Sequence, residues 1–143
     1  MDKSAVVDAS ILIKLLSREK ESLIAEAERF CSLITRGKIQ AFAPTFLLVE
    51  MLNVLSAKKH FTEEGVTNSL EWLKRLGIVF VDFNIGETDK IVGLCYRHNL
   101  TAYDALYLLL ATNLGCKLVT EDEKLLRIKK HCLGLKSCLR KVF

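Results

Sequence analysis

The chain has 143 residues, half of them hydrophobic, 27% charged and with a single proline. That is enough to bury one substantial core and too apolar for a disordered protein, so one domain over residues 1–143 is expected. The net charge of +4 is uneven: from Lys124 onward there are seven of the 21 Lys/Arg and no Asp or Glu, so the first 123 residues carry fourteen cations against 17 anions. An acidic body with a basic C-terminal stretch can hold cations in one place and attract polyanions in another. The run Ala5-Val6-Val7 is too short for a secretory signal, and the longest apolar run, Ala105 to Ala111, is far too short to span a bilayer. A cytoplasmic protein with no membrane partner is expected.

In chain order, Ala5-Val6-Val7 runs straight into Asp8, and Ile11, Leu12, Leu15 and Leu16 follow at helical spacing. This predicts a short buried strand that delivers Asp8 to the start of a helix. A helix is predicted over Lys20–Thr35 and stopped by Gly37, followed by a short strand over Ile39–Ala43. Pro44 and Thr45 open a helix to Leu55 or slightly beyond. Thr62 starts another, ending at Gly77, and Ile78–Val81 is a β-branched strand. A helix begins at Gly86–Asp89, with acidic residues suited to its dipole, and ends near His98-Asn99. Thr101 opens a strongly apolar helix to Leu114, Lys117–Thr120 is a strand, and Asp122–Lys130 reads as the final helix. Leu133–Leu135 is a candidate edge strand. Strands alternating with helices predict an α/β fold, a parallel sheet covered on both faces.

The five cysteines (Cys31, Cys95, Cys116, Cys132, Cys138) form no C-x-x-C pair, and the histidines give no zinc spacing. Buried free thiols are the simpler reading, disulfides the sharper alternative.

Chemistry is carried by four carboxylates. Asp8 and Asp122 each follow a predicted strand, and in a parallel sheet both project from the same edge; either also suits a helix N-cap. Glu50 interrupts the apolar helix Phe46-Leu47-Leu48-Val49-Glu50-Met51-Leu52, so it is expected to point into protein, bound to a cation or held in a salt bridge. Asp104 opens a buried helix in Thr101-Ala102-Tyr103-Asp104, where a capping box with Thr101 is the ordinary alternative. Carboxylates crowded together repel one another unless a cation joins them, and hard Mg²⁺ or Mn²⁺ favours oxygen ligands. Such a cation suits phosphodiester hydrolysis. Ser10 and Thr120, each two residues from an aspartate, can orient a carboxylate or a water, or serve as caps.

The ordered set Val7-Asp8-Ala9-Ser10, Leu48-Val49-Glu50, Ala102-Tyr103-Asp104-Ala105 and Val119-Thr120-Glu121-Asp122 resembles the PIN-domain family. It is most similar to the small single-domain VapC-type toxins of prokaryotic toxin–antitoxin pairs. The resemblance implies a Rossmann-like, three-layer α/β/α sandwich with a central parallel sheet and Mg²⁺- or Mn²⁺-dependent endoribonuclease activity. It also implies Asp8, Glu50, Asp104 and Asp122 as the acidic site, a homodimer, and an antitoxin partner. Glu121 and Glu123 flank Asp122; Asp122 is chosen because it stands two residues after Thr120, as in the family pattern.

An RNA-processing nuclease outside a toxin pair and a non-cleaving RNA- or protein-binding module are the alternatives. A nucleotide-binding protein is excluded, since neither G-x-G-x-x-G nor G-x-x-x-x-G-K-[ST] occurs. The basic residues Arg127, Lys129, Lys130, Lys136, Arg140 and Lys141 can contact phosphates or form an ordinary solvated surface. Trp72, Tyr96 and Tyr107 read as core or interface, and Tyr103 as a possible substrate contact.

Overall fold

The structure is a computed structural model that describes residues 3–18 and 21–142. Five strands, β1 (Ser4–Val7), β2 (Gln40–Pro44), β3 (Val79–Val81), β4 (Lys117–Val119) and β5 (Cys132–Leu133), form one sheet in the order β3-β2-β1-β4-β5. Every pairing is parallel, with Val6 opposite Phe42 and Val7 opposite Val119. The central strands read as unbroken apolar runs because both of their faces are covered. Val6, Val7, Leu118 and Val119 are wholly buried, each such side chain stabilising the fold by roughly 1.5–3 kcal/mol.

The helices are α1 (Ala9–Leu16), α2 (Ile24–Thr35), α3 (Phe46–Asn53), α4 (Glu63–Arg75), α5 (Thr88–His98), α6 (Ala102–Leu114), α7 (Glu123–Leu126) and α8 (Leu135–Val142). Connections β1→β2→β3 step one way across the sheet, and β3→β4→β5 cross back to the other side. Right-handed crossovers therefore put α1–α4 on one face and α5–α6 on the other. Contacts agree: α1 packs on α2 and α3, α2 on α8, while α6 pairs with α5 and lies across β1, β2 and β4. This is the expected three-layer α/β/α sandwich. No helix among the described residues is long and apolar enough to cross a membrane.

Several boundaries differ from the sequence reading. The helix predicted over Lys20–Thr35 starts at Ile24, because Leu23 enters it in the left-handed conformation (φ 58°); Lys20 lies outside the described residues. The helix after Thr45 does run past Leu55, closing in a π-turn over Val54–Lys58. A 3₁₀ turn over Ile85–Glu87 precedes α5. The predicted final helix over Asp122–Lys130 is only Glu123–Leu126. The chain must turn by His131, whose N–H donates to the Ile128 carbonyl, to feed β5 beside β4. The edge strand is Cys132–Leu133, and Leu135 instead opens α8, an unforeseen helix that buries Leu135, Cys138 and Leu139.

All five cysteines are free thiols, which settles that choice among the described residues. Burial pushes Cys31 up to about 12 and Cys132 and Cys138 up to about 11, so these three behave as apolar filling.

Candidate active site

Strand order reverses between β1 and β4: β1 leads toward β2 on one side, while β4 pairs on its other side. In open parallel sheets ligands bind beyond the carboxyl ends of the strands at such a switch point. Asp8 follows β1 and Thr120 follows β4 at this edge, joined by the Asp8 N–H donating to the Val119 carbonyl at 3.1 Å.

Asp8 is buried and occupies the N-cap position of α1, yet its side chain makes no cap hydrogen bond. Instead Ser10 Oγ and Thr120 Oγ1 donate to its Oδ2 at 2.9 and 2.6 Å. Thr120, wholly buried, also accepts from the Asp122 N–H at 3.0 Å, and Ser10 Oγ accepts from the Glu121 N–H at 3.4 Å. The two hydroxyls therefore tie both strand ends to a single carboxylate. Burial pushes Asp8 up to about 6; the hydroxyl from Thr120 opposes this, the charges of Glu50 and Asp122 add to it, and that from Ser10 opposes it.

Asp122 does act as a cap, its Oδ1 accepting from the Lys124 and Leu125 N–H groups at 2.9 and 3.2 Å. Its neighbour Glu121 turns away, Oε1 accepting from the Leu135 N–H at 2.6 Å at the start of α8. Of the adjacent acidic residues, Asp122 is the one whose charge raises both Asp8 and Asp104.

Glu50 and Asp104 come from helices on opposite faces of the sheet. The expectation that Glu50 points into protein holds only in part, because α3 is not wholly covered: Leu47 and Met51 are buried, but Val49 is 57% exposed and Glu50 is half-buried. The salt bridge offered as an alternative for Glu50 does not form among the described residues, where Lys58 acts on it only as a nearby charge. Its partner is Tyr107, whose hydroxyl donates to Oε1 at 2.6 Å from a fully buried ring. Burial raises Glu50, the Tyr107 bond opposes this, and the Asp104 charge adds to it. The phenol itself is driven well above its ordinary value, first by burial and then by the charges of Glu50 and Asp8.

Asp104 sits in the first turn of α6, half-buried, with its N–H donating to Thr101 Oγ1 at 3.2 Å, one half of the foreseen capping box. Burial raises its carboxyl, and the charges of Asp122 and Asp8 raise it further. Tyr103 beside it is 53% exposed and stacks on Phe46, with ring centroids 4.7 Å apart.

The six residues singled out in the sequence thus lie on one edge and interact, by hydrogen bond or by charge. The ion pairs among the described residues, Lys14–Glu21, Arg18–Glu28, Lys74–Glu71 and Lys90–Glu87, involve none of the four carboxylates. The donor set is all oxygen, and positive charge reaches it only as the weakest influences, of Lys58 on Glu50 and of Lys124 on Asp104, which fits a hard divalent cation. Among the described residues no group of three or more His, Cys, Asp or Glu side chains is placed to hold a metal ion together.

Sequence reasoning missed Tyr107 as part of this edge. Its signal is the three-residue spacing from Asp104, which sets both on neighbouring positions of one helical surface.

This chain belongs to the PIN domain family, whose model matches residues 5–131. It is similar to PAE2754 from Pyrobaculum aerophilum, at TM-score 0.67 and 23% identity over 99% of this chain and 98% of that one. It is also similar to VapBC2 from Rickettsia felis bound to a DNA fragment from their promoter, at TM-score 0.68 and 17% identity over 92% and 98%. A toxin–antitoxin complex from Klebsiella pneumoniae matches at TM-score 0.60 and 19% identity over 82% and 86%. At these identities the likeness is one of fold. No curated protein matches the sequence.

Proposed function

We propose that this protein is a single-domain, Mg²⁺- or Mn²⁺-dependent endoribonuclease with Asp8, Glu50, Asp104 and Asp122 as its metal-holding carboxylates. The observation that carries this reading is the mutual charge influence, near the switch point of the sheet, of four acidic side chains from four separate segments with no ion-pair partner among the described residues. A bound divalent cation supplies charge neutralisation and Lewis acidity for attack of water on a phosphodiester.

The chain's own residues do the rest. Ser10 and Thr120 fix Asp8 by its Oδ2, and Oδ1 is the oxygen that would serve a cation. Tyr107 fixes one oxygen of Glu50 in the same way. Asp122 holds the start of α7 and adds its charge to the edge.

The family and the likeness to VapBC2 and to the Klebsiella toxin–antitoxin complex support a toxin role, with an antitoxin protein as partner. We infer a cytoplasmic homodimer acting on RNA on the same footing. Incubation of the purified protein with a mixed structured RNA pool, with Mg²⁺, with Mn²⁺ and with EDTA, tests the reading. Cutting is expected with either metal, none with EDTA, and far less in Asp104→Asn. A folded, antitoxin-free protein that cuts nothing, or an Asp104→Asn variant that cuts normally, defeats it.

A further inference from the structure

Beside the acidic edge lies a pocket of about 220 Å³, lined by His98 and Asn99 at the end of α5 and by Lys124, Arg127 and Ile128 on and after α7. Its charged and titratable lining is wholly cationic or imidazole, with no carboxylate among it. Neither Lys124 nor Arg127 takes part in an ion pair among the described residues, and both are exposed. Lys124 offsets part of the Asp104 charge across the edge, but the pocket's own lining holds no anion, and like charges gathered round it favour the entry of one.

The pocket adjoins the acidic edge. Lys124 stands two residues after Asp122 and donates its N–H to the Asp122 carboxylate, so the pocket and the acidic edge share a chain segment. The positive region also continues outward: His131 is held down by burial and by the nearby charges of Lys130, Lys117 and His98. Asn99 takes the left-handed conformation (φ 54°) that ends α5 and swings the chain toward α6, which brings the rim of the pocket near the helix that carries Asp104.

We propose that this pocket is a backbone-phosphate subsite that grips the nucleic-acid strand next to the phosphodiester presented to the carboxylates. The proposal rests on the nuclease reading above. Its cavity admits a phosphodiester group with part of its sugar and reads no base, so the grip is independent of sequence. Arg127 offers a planar fork to the phosphate oxygens, Lys124 a point charge, and His98 and Asn99 neutral or charged N–H donors. The strand would cross from the acidic edge over the start of α7 and leave along His131 and Lys117.

The test is equilibrium binding of a fluorescently labelled, mixed-sequence single-stranded RNA in EDTA, across a salt series. Wild-type protein is compared with Lys124→Gln/Arg127→Gln and with Lys136→Gln/Arg140→Gln, which removes the same charge from α8. The pocket variant is expected to bind about tenfold more weakly, with the salt slope reduced by roughly 1 to 2, while the α8 variant stays near wild type. Equal weakening in both variants, or none in the pocket variant, overturns the proposal. Should the double variant misfold, Arg127→Gln alone is read the same way.

Cleavage by the wild-type protein separates the two claims. Metal-dependent cutting with undiminished binding by the pocket variant removes the subsite and leaves the nuclease. Absence of cutting with binding lost in the pocket variant alone removes the nuclease and leaves the subsite.

Discussion

Asp8 stands at the end of a central strand, buried, with two hydroxyls donating to one of its oxygens. Glu50 and Asp104 reach the same edge from helices on opposite faces of the sheet, each half-buried; Glu50 is steadied by Tyr107 and Asp104 lies beside Thr101. The strand-borne half is fixed by backbone pairing, since the Asp8 N–H is itself bonded to β4. Long side chains on helices keep rotamer freedom, and ordering them costs entropy that a ligand must offset. The difference accompanies four carboxylates that influence one another by charge while, among the described residues, no three are placed to hold a metal ion together. One half is preset by the backbone and the other is set by side-chain rotamers.

The largest effect should come from the preset half. Asp8→Asn keeps the volume and removes the charge, so cleavage of RNA is expected to fall on the order of 10³-fold, several kcal/mol of transition-state stabilisation. A smaller loss than in Asp104→Asn would reverse the comparison. Next comes Thr120→Val, which leaves the shape of a buried residue and deletes a donor to Asp8. Cleavage should drop by about 10- to 100-fold. Because that bond favours the ionised carboxyl, its loss also moves the acid limb of the pH–rate profile upward; an unmoved limb would mean that Thr120 merely fills space. Tyr107→Phe, on the adjustable half, is expected to cost about tenfold in rate and about 1–2 kcal/mol in stability, read by kinetics and urea unfolding.

Smallest is a pH effect in the metal-free protein. Asp8 titrates near 6 in the folded state against 3.8 ordinarily, so the folded protein binds the extra proton between these values. Stability from this group is therefore full below the ordinary value and is lost as pH rises through about 6. Acidifying from pH 7 to 5 should raise the unfolding free energy by about 1 kcal/mol relative to Asp8→Asn, which lacks the group. Identical pH profiles for the two proteins would show that burial does not strain Asp8.

Much of the edge was legible because its signals are local. An apolar run that meets a carboxylate, as in Val6-Val7-Asp8, announces a strand end, and Val119-Thr120 repeats the signal for β4. The polar interruption at Glu50 was visible against its apolar helix, although the exposure of Val49 and Leu52 was not, since helical spacing alone does not say which apolar residues face the core. Tyr107 reads as core or interface from the sequence because a lone polar atom on an apolar helix looks like packing until its partner, 57 residues earlier, is known. α8 was hidden by its own charge: Leu135, Cys138 and Leu139 have helical spacing, but Lys136, Arg140 and Lys141 read as a solvated tail. The shortness of α7 is a tertiary matter, imposed by the need to start β5 beside β4. The basic pocket joins residues 98–99 to residues 124–128, and no local pattern announces that meeting.

The most direct measurement is Mn²⁺ binding to the metal-free protein, followed by the paramagnetic resonance signal of the free ion, in wild type, Asp8→Asn and Asp104→Asn. Saturable binding in the wild type, abolished by Asp8→Asn and weakened by Asp104→Asn, is the expected result. No saturable binding, or equal binding by all three proteins, would contradict the assignment of this edge as a cation site.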